Sequence, residues 1–334
     1  MHLMGIRRHI SGSICLMLIF GLIGVLQAQQ ITGEIAQSAA PYIAIDQTLS
    51  GSGASWQIHL VQTRDEIYVP IGVRKPDGEG PFPMILIGNG QGRDGIEKIE
   101  QAMDSWQELM SRLVDRGYAA AFVNFRNEIP YYYNEIAGAE LLEDSVSGGN
   151  RTLQSVPSLD SDDFLSIIEH VRALPYTDPN GIGAIGSSHS GEIILKSTAA
   201  TSLGAAVPAE PAAIEYLGMD ISNAPRDASG RELQMQGVEA ARNIADKEST
   251  MRRIEKINTP ILVIGRDDDH LQGIFRLSYE WIAEAGKDVT WRSFDHPEHG
   301  FALLGKIDGE QTEINDVQEE AFELYMDFFE EHLK

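Results

Sequence analysis

The chain has 334 residues, 43% of them hydrophobic, enough to bury the core of one large α/β domain, and a single domain is the expectation. Its 26 Lys and Arg stand against 50 Asp and Glu, a formal net charge of −24. A surface of that sign repels phosphate backbones and argues against nucleic acid as a partner; the acidity reads as solvation in a salty or extracellular setting.

Arg7 and Arg8 precede an uncharged stretch from Ile10 to Ala28 whose centre, "ICLMLIFGLIGVL", is strongly apolar and which runs out in "QAQQ". Basic residues, an apolar run and a small-residue exit predict a secretory signal peptide over residues 1–28, cleaved after Ala28, and a secreted or periplasmic protein. The alternative is an uncleaved anchor, because no charge appears from Ile10 until Glu34. A cleaved chain is expected to have no stable membrane association. The single cysteine, Cys15, lies inside this segment, so the mature chain, residues 29–334, holds neither a disulfide nor a thiolate nucleophile. Losing two bases and no acids takes its formal charge to −26.

Residues 29–55 are mixed in composition and read as a loosely packed lead-in. "WQIHLVQ" and "EIYVPIGVRKP" then read as two strands with "TRD" as a hairpin turn between them. "PMILIG" is a short continuous apolar run, the pattern of a strand buried on both faces. From Ile96 to Arg116 the apolar residues Ile96, Ile99, Met103, Trp106, Leu109, Met110 and Leu113 recur at helical spacing, and Gly117 stops the run. "YAAAFVNF" is a further buried strand. A long loop with "PYYY" and "SGGN" follows, in which Tyr131, Tyr132 and Tyr133 either line a pocket or pack the loop itself. Asn150-Arg151-Thr152 is a glycosylation sequon that matters only in a eukaryotic source.

Asp162 to Leu174 reads as a helix with Phe164, Ile167, Ile168 and Val171 inward, ended by "YTDPNG". The rhythm continues with "GIGAIG", a helix from Gly191, the strand "LGAAVPA", a charged helical insertion from about 209 to 258 suited to a small cap, and the strand "PILVIG". A helix through Trp281, the strand "VTWRSF" and a closing helix around Phe322, Tyr325 and Phe329 complete it. Strand and helix in alternation call for a mostly parallel sheet covered on both faces.

Within "IGAIGSSHSGEIIL", Gly181, Gly183 and Gly186 match a dinucleotide-binding G-x-G-x-x-G in spacing alone. That fingerprint needs a strand before it and an acid about 20 residues further on, and here "LPYTDPN" is a poor strand and "LGAAV" occupies the acid's region. Read with "IGAIG" as the strand, the same residues make strand, tight turn and helix with Ser188 at the centre, the geometry of a nucleophile elbow. The usual G-x-S-x-G has Ser190 in place of its last glycine, with Gly191 following.

A serine hydroxyl is a weak nucleophile until an imidazole takes its proton and an acid orients that imidazole. "PILVIGRDDDHLQG" supplies Asp267, Asp268 and Asp269 beyond a strand end, and "FDHPEHGFALL" supplies His299 in a Gly- and Pro-flanked loop. Taken singly these are a solvated acidic turn and a surface histidine; together, at the ends of separate strands, they form a candidate triad in the order Ser, acid, His. A metal site built from Asp267, Asp269 and His270 has no second cluster to complete it, and no metal or cofactor is expected.

The ordered set "RKPDGEGPFPMILIGNGQG", "DPNGIGAIGSSHSG", "TPILVIGRDDDH" and "HPEHGF", over about 65–334, resembles the α/β-hydrolase superfamily, and within it the dienelactone-hydrolase and prolyl-oligopeptidase-like branch. The resemblance implies Ser188 as nucleophile, His299 as general base, and Asp268 as the orienting acid, three residues after the strand-end Gly265. Asp269 is the alternative if His270 is matched to relatives with an Asp-His pair. It further implies an oxyanion hole from the backbone N–H of His189 and, in the loop Gly88–Gly92, of Gln91; Asn89 stands where family members often carry histidine. His189 and His296 are read as structural. The expected function is hydrolysis of small-molecule carboxylic esters through an acyl-enzyme. The alternatives are a serine peptidase of prolyl-oligopeptidase type, disfavoured because few residues precede the first strand pair, and an inactive fold kept for binding. Specificity rests with residues 126–157 and 209–258, where no motif guides the reading.

Overall fold

The computed structural model describes residues 43–49, 53–64, 68–89, 95–125, 159–230, 232–304 and 313–334. The expectations placed on residues 1–28, Gln91, Tyr131 to Tyr133 and Asn150 lie outside these. Among the described residues nine strands form one sheet: β1 (Ile43–Thr48), β2 (Ser55–Gln62), β3 (Tyr68–Arg74), β4 (Phe82–Asn89), β5 (Ala119–Val123), β6 (Thr177–Ser187), β7 (Ala205–Ala209), β8 (Ile261–Arg266) and β9 (Val289–Phe294), in the order β1-β2-β3-β5-β4-β6-β7-β8-β9. β1, β2, β3 and β5 pair antiparallel in sequence, and from β5 across to β9 every pairing is parallel.

The helices among the described residues are α1 (Gly95–Ser105), α2 (Gln107–Asp115), α3 (Leu159–Arg172), α4 (His189–Thr198), α5 (Val238–Ile244), α6 (Lys247–Ile254), α7 (Gln272–Glu284) and α8 (Asp316–Leu333). Side-chain alternation sorts the strands onto two cores. Met84 and Leu86 of β4 face a core with Phe164 of α3, Ile193 of α4 and Phe275 of α7, while Ile85 and Ile87 face one with Met103 of α1, Leu113 of α2 and Phe322 of α8. Helices therefore cover both faces, as parallel crossovers require. Close approach of α8 depends on missing side chains: a Cβ on Gly183 would lie 2.8 Å from Phe329 and Leu333, and one on Gly204 would lie 2.4 Å from Leu333.

Three elements differ from the sequence expectation. Part of the lead-in, Ile43–Thr48, is β1, an edge strand whose Ile45 is exposed, so it carries no clean apolar alternation to reveal it. β6 begins at Thr177, inside the stretch read as a helix stop, because the register against β4 shifts between Phe82 and Met84 and the irregular "TDPNG" is accommodated there. The single helix expected over 96–116 is two, broken at Trp106, whose ring packs on Phe122 at 5.2 Å. The segment 209–258 carries α5 and α6 and buries Ala213, Tyr216, Leu217, Met235 and Ile254 in the same core as α4.

Candidate active site

β6 ends at buried Ser187, and α4 begins at His189. Between them Ser188 has φ 57° and ψ −118°, a backbone conformation that side chains rarely adopt and that costs about 1–3 kcal/mol. Its backbone is held from both sides: Ser188 N–H donates to Ala209 O (3.1 Å), while Ser188 O accepts from Glu192 N–H (3.1 Å) and Ala212 N–H (3.0 Å). The three atoms nearest a β-carbon on Gly191 would all be main-chain, Gly186 O, Pro211 Cα and Ala209 O at 3.0–3.1 Å, a crowding that the turn avoids by having glycine there. Ser190, which replaces the usual glycine of the motif, is buried and has room because its neighbours lack side chains: a Cβ on Gly88 would lie 2.7 Å, and one on Gly186 2.9 Å, from the Ser190 Cβ. The departure from G-x-S-x-G is thus compensated by glycines in β4 and β6.

The loop after β9 brings His299 to the same edge. A Cβ on Gly300 would lie 3.5 Å from Ser187 Oγ and 3.9 Å from Asn89 Oδ1, so this loop packs on the ends of β6 and β4 beside the Ser188 turn. His299 Nδ1 is 3.0 Å from Asp269 Oδ2. The acid expected here was Asp268, and the geometry differs. Asp267 N–H still pairs with Phe294 O as a last rung of β8 against β9, so the turn starts one residue later than counting from Gly265 implies. Asp268 then takes the turn's positive φ, 61°, and lies exposed; Asp267 is exposed and accepts from Ser293 Oγ. Asp269, fully buried, is the aspartate that points at the imidazole.

Two groups absent from the sequence reading complete the cluster. Arg266 donates to Asp269 Oδ2 from Nη2 (2.6 Å) and Nε (3.0 Å), to Glu210 Oε1 from Nε (3.2 Å), and to the carbonyls of His296 and Pro297 from Nη1 (both 3.2 Å). It therefore ties the acid to the loop that carries His299. Glu210, directly after β7 and fully buried at φ 46°, lies with Oε1 3.4 Å from His299 Nδ1 and accepts from Gly300 N–H at Oε2 (2.6 Å). Its one sequence signal was an acid following the apolar run "AAVPA".

Burial alone would lower the His299 imidazole, but hydrogen bonds and charge from Asp269 and Glu210 outweigh it and push its pKa up to about 9. Burial would likewise raise the Asp269 carboxyl; its hydrogen bonds to His299, Leu271 N–H and Arg266 hold it at about 2. Glu210, Asp269 and His299 present ligand atoms within 4.8 Å of one another, the spacing of a cation site. Arg266 sits against both carboxylates, so the positive charge such a set would recruit is already part of the chain.

The two histidines read as structural, His189 and His296, have partners of their own. His189 Nε2 is 2.7 Å from Asp160 Oδ2 of α3. His296 stacks on Phe301 at 4.8 Å, and its Nε2 is 2.9 Å from Asn315 Nδ2, the residue that caps α8. As the first residue of α4, His189 has a backbone N–H with no acceptor in its own helix, and it lies next to Ser188.

No protein-family profile and no curated protein sequence matches the chain. Solved structures do. An acylaminoacyl peptidase of Pyrococcus horikoshii superposes with a TM-score of 0.51 at 18% identity over 91% of this chain, which spans 44% of the peptidase. Acetyl xylan esterase 1 of a Thermoanaerobacterium species gives 0.53 at 14% identity over 88% of each chain. A Klebsiella pneumoniae protein named as a dienelactone hydrolase gives 0.51 at 14% identity over 87% of this chain and 99% of its own. The sheet order, the covering helices and these superpositions agree on one architecture: the chain has the α/β-hydrolase fold.

Proposed function

We propose that this chain is an exported serine hydrolase that cleaves carboxylic esters, with Ser188 as nucleophile, His299 as general base and Asp269 as the acid that orients it. Ser188 Oγ attacks the ester carbonyl carbon as its proton passes to His299 Nε2, while Nδ1–H stays on Asp269 and the imidazolium is stabilised by that carboxylate. The carbonyl oxygen takes up the negative charge, with the N–H groups of His189 and Gln91 as its donors. Collapse expels the alcohol, which takes the proton from Nε2. Water, deprotonated by the same nitrogen, then attacks the acyl-enzyme, releasing the carboxylic acid and restoring the serine. One observation carries this reading: a serine held at φ 57° on a strand-to-helix turn, beside a loop whose histidine has its Nδ1 on a buried carboxylate. Strain of this kind persists where the surrounding structure over-determines it, and it concentrates at reactive positions.

The preference for esters is supported by the likeness to the acetyl xylan esterase, which runs over 88% of both chains. Export rests on the pattern of residues 1–28; the exported chain then begins at Gln29, which N-terminal sequencing reads directly. Among the described residues no helix is long and apolar enough to cross a membrane. The chemistry is tested by treating the mature protein with a fluorophosphonate and mapping the adduct, together with a panel of chromogenic esters and aminoacyl-proline amides. Label on Ser188, lost together with ester turnover in Ser188→Ala, is the expected result. An adduct on Ser187 or Ser190, or none, overturns the assignment, and turnover of the amides alone moves the substrate to peptides.

A further inference from the structure

We infer that Glu210 is a second carboxylate for His299, a positioning residue that shares the imidazole Nδ1–H with Asp269 and grips the peptide that follows it. The inference rests on the reading of His299 as general base. β7 and β8 are neighbours in the sheet, so the residue after β7 and the turn after β8 open onto the same edge, and each places a fully buried carboxylate there. The backbone of Glu210 is pinned by its N–H to Ile264 O (2.7 Å) in a positive-φ conformation, which aims the side chain rather than letting it search. Its two oxygens then divide their work. Oε1 lies 3.4 Å from His299 Nδ1, and Oε2 takes the Gly300 N–H at 2.6 Å, so both the ring and the next peptide of the histidine answer to one side chain.

A buried carboxylate is expensive to keep for packing alone. Arg266 offsets part of that cost, since its single guanidinium faces Glu210 Oε1 and Asp269 Oδ2 together. Two carboxylates against one guanidinium leave a net negative charge beside the imidazole, which favours the imidazolium formed when Ser188 gives up its proton. Among the described residues the aromatic rings beside the imidazole are Phe275, at 6.4 Å, and His270, at 6.2 Å, whose own Nδ1 lies 3.2 Å from Asp269 Oδ1. Asp269 is thus shared between four partners, His299, Arg266, His270 and Leu271 N–H, while Glu210 faces Arg266, the histidine and its loop.

The test compares Glu210→Gln, which keeps the shape and removes the charge, with Glu210→Asp, which keeps the charge and shortens the reach. Two readouts are followed: the pH dependence of kcat/KM and the His299 titration by NMR of histidine-labelled protein, assigned with His299→Gln. Glu210→Gln is expected to move both the acid limb and the ring titration down by about one pH unit, with KM unchanged and the plateau kcat reduced about fivefold. Glu210→Asp should move them less. Asp269→Asn alone should lower kcat about 10²-fold because Glu210 still holds Nδ1, and adding Glu210→Gln should extend the loss to about 10⁴-fold. If the imidazole titrates as in the wild type in whichever variant folds, or if the double variant is no worse than Asp269→Asn, Glu210 only braces the loop and the inference fails. Fluorophosphonate labelling of the wild type separates the two failures: an unlabelled wild type breaks the hydrolase reading, whereas normal labelling with an unmoved titration breaks the role of Glu210 alone.

Discussion

Residues 186–191 are contiguous and make the turn that carries Ser188, whereas the cluster around His299 draws Glu210 from the end of β7, Arg266 and Asp269 from the end of β8, and the histidine from the loop after β9. The turn is closed by backbone contacts and missing side chains, with Gly191 against three main-chain atoms. The cluster is closed by charge, with one guanidinium between two carboxylates. A local device fails through shape and a distributed one through electrostatics, so the two should respond differently to substitution.

The largest separation is expected among the three aspartates after β8. Asp269→Asn should cost about 10²-fold in kcat with the fold intact, while Asp268→Asn and Asp267→Asn, at exposed positions, should each cost less than about tenfold. Steady-state kinetics on the three variants with circular dichroism checks this, and a collapse in Asp268→Asn alone would return the acid to the position that counting from Gly265 selects. On the side of the turn, Gly191→Ala pushes a methyl against Gly186 O, Pro211 Cα and Ala209 O at 3.0–3.1 Å, none of which can swing away. It should destabilise the protein by about 1–3 kcal/mol in denaturant unfolding and reduce Ser188 labelling in the protein that remains folded. Wild-type stability with normal labelling would show the turn to be less crowded than its distances imply.

The smallest effect is the pH dependence of stability that the cluster contributes. His299 is raised from 6.5 to about 9, so its contribution is fully present below pH 6.5 and is lost as pH rises through about 9. Asp269 is lowered from 3.8 to about 2, so its contribution is present above pH 3.8 and is lost as pH falls through about 2. Melting temperatures of wild type and His299→Gln should therefore converge between neutral pH and about 9; a gap that stays constant over that range would mean the ring is not charged in the folded state.

The same contrast explains what could be read from the chain before it was folded. The rhythm of buried strands was legible because parallel strands covered on both faces are continuous apolar runs, as in "MILIG", "AAAFV" and "ILVIG". The turn at Ser188 was legible because small residues bracket a serine between a strand and a helix within a few positions. Its tolerance of Ser190 was not, since the room comes from Gly88, about a hundred residues earlier in the chain and one strand away. Counting from Gly265 chose Asp268 because sequence spacing assumes where the strand stops, and the extra pairing of Asp267 N–H with Phe294 O displaced the turn by one residue. Glu210 and Arg266 followed no spacing rule; they matter only because β7 and β8 lie side by side. β1, largely exposed at the sheet edge, had no periodic pattern to find.

Asn315 caps α8 through Gln318 N–H while its Nδ2 lies 2.9 Å from His296 Nε2, and Gln318 Nε2 donates to Phe301 O (3.3 Å), so the final helix clasps the histidine loop on both sides of His299. Its far end fills the space that Gly183 and Gly204 leave open beneath β6 and β7. Synthesis runs in the opposite direction to this dependence. The serine turn is translated well before the helix that clasps the His299 loop. On the proposed reading of His299, a chain cut after β9 would keep the serine turn but lose the residues that clasp the histidine loop.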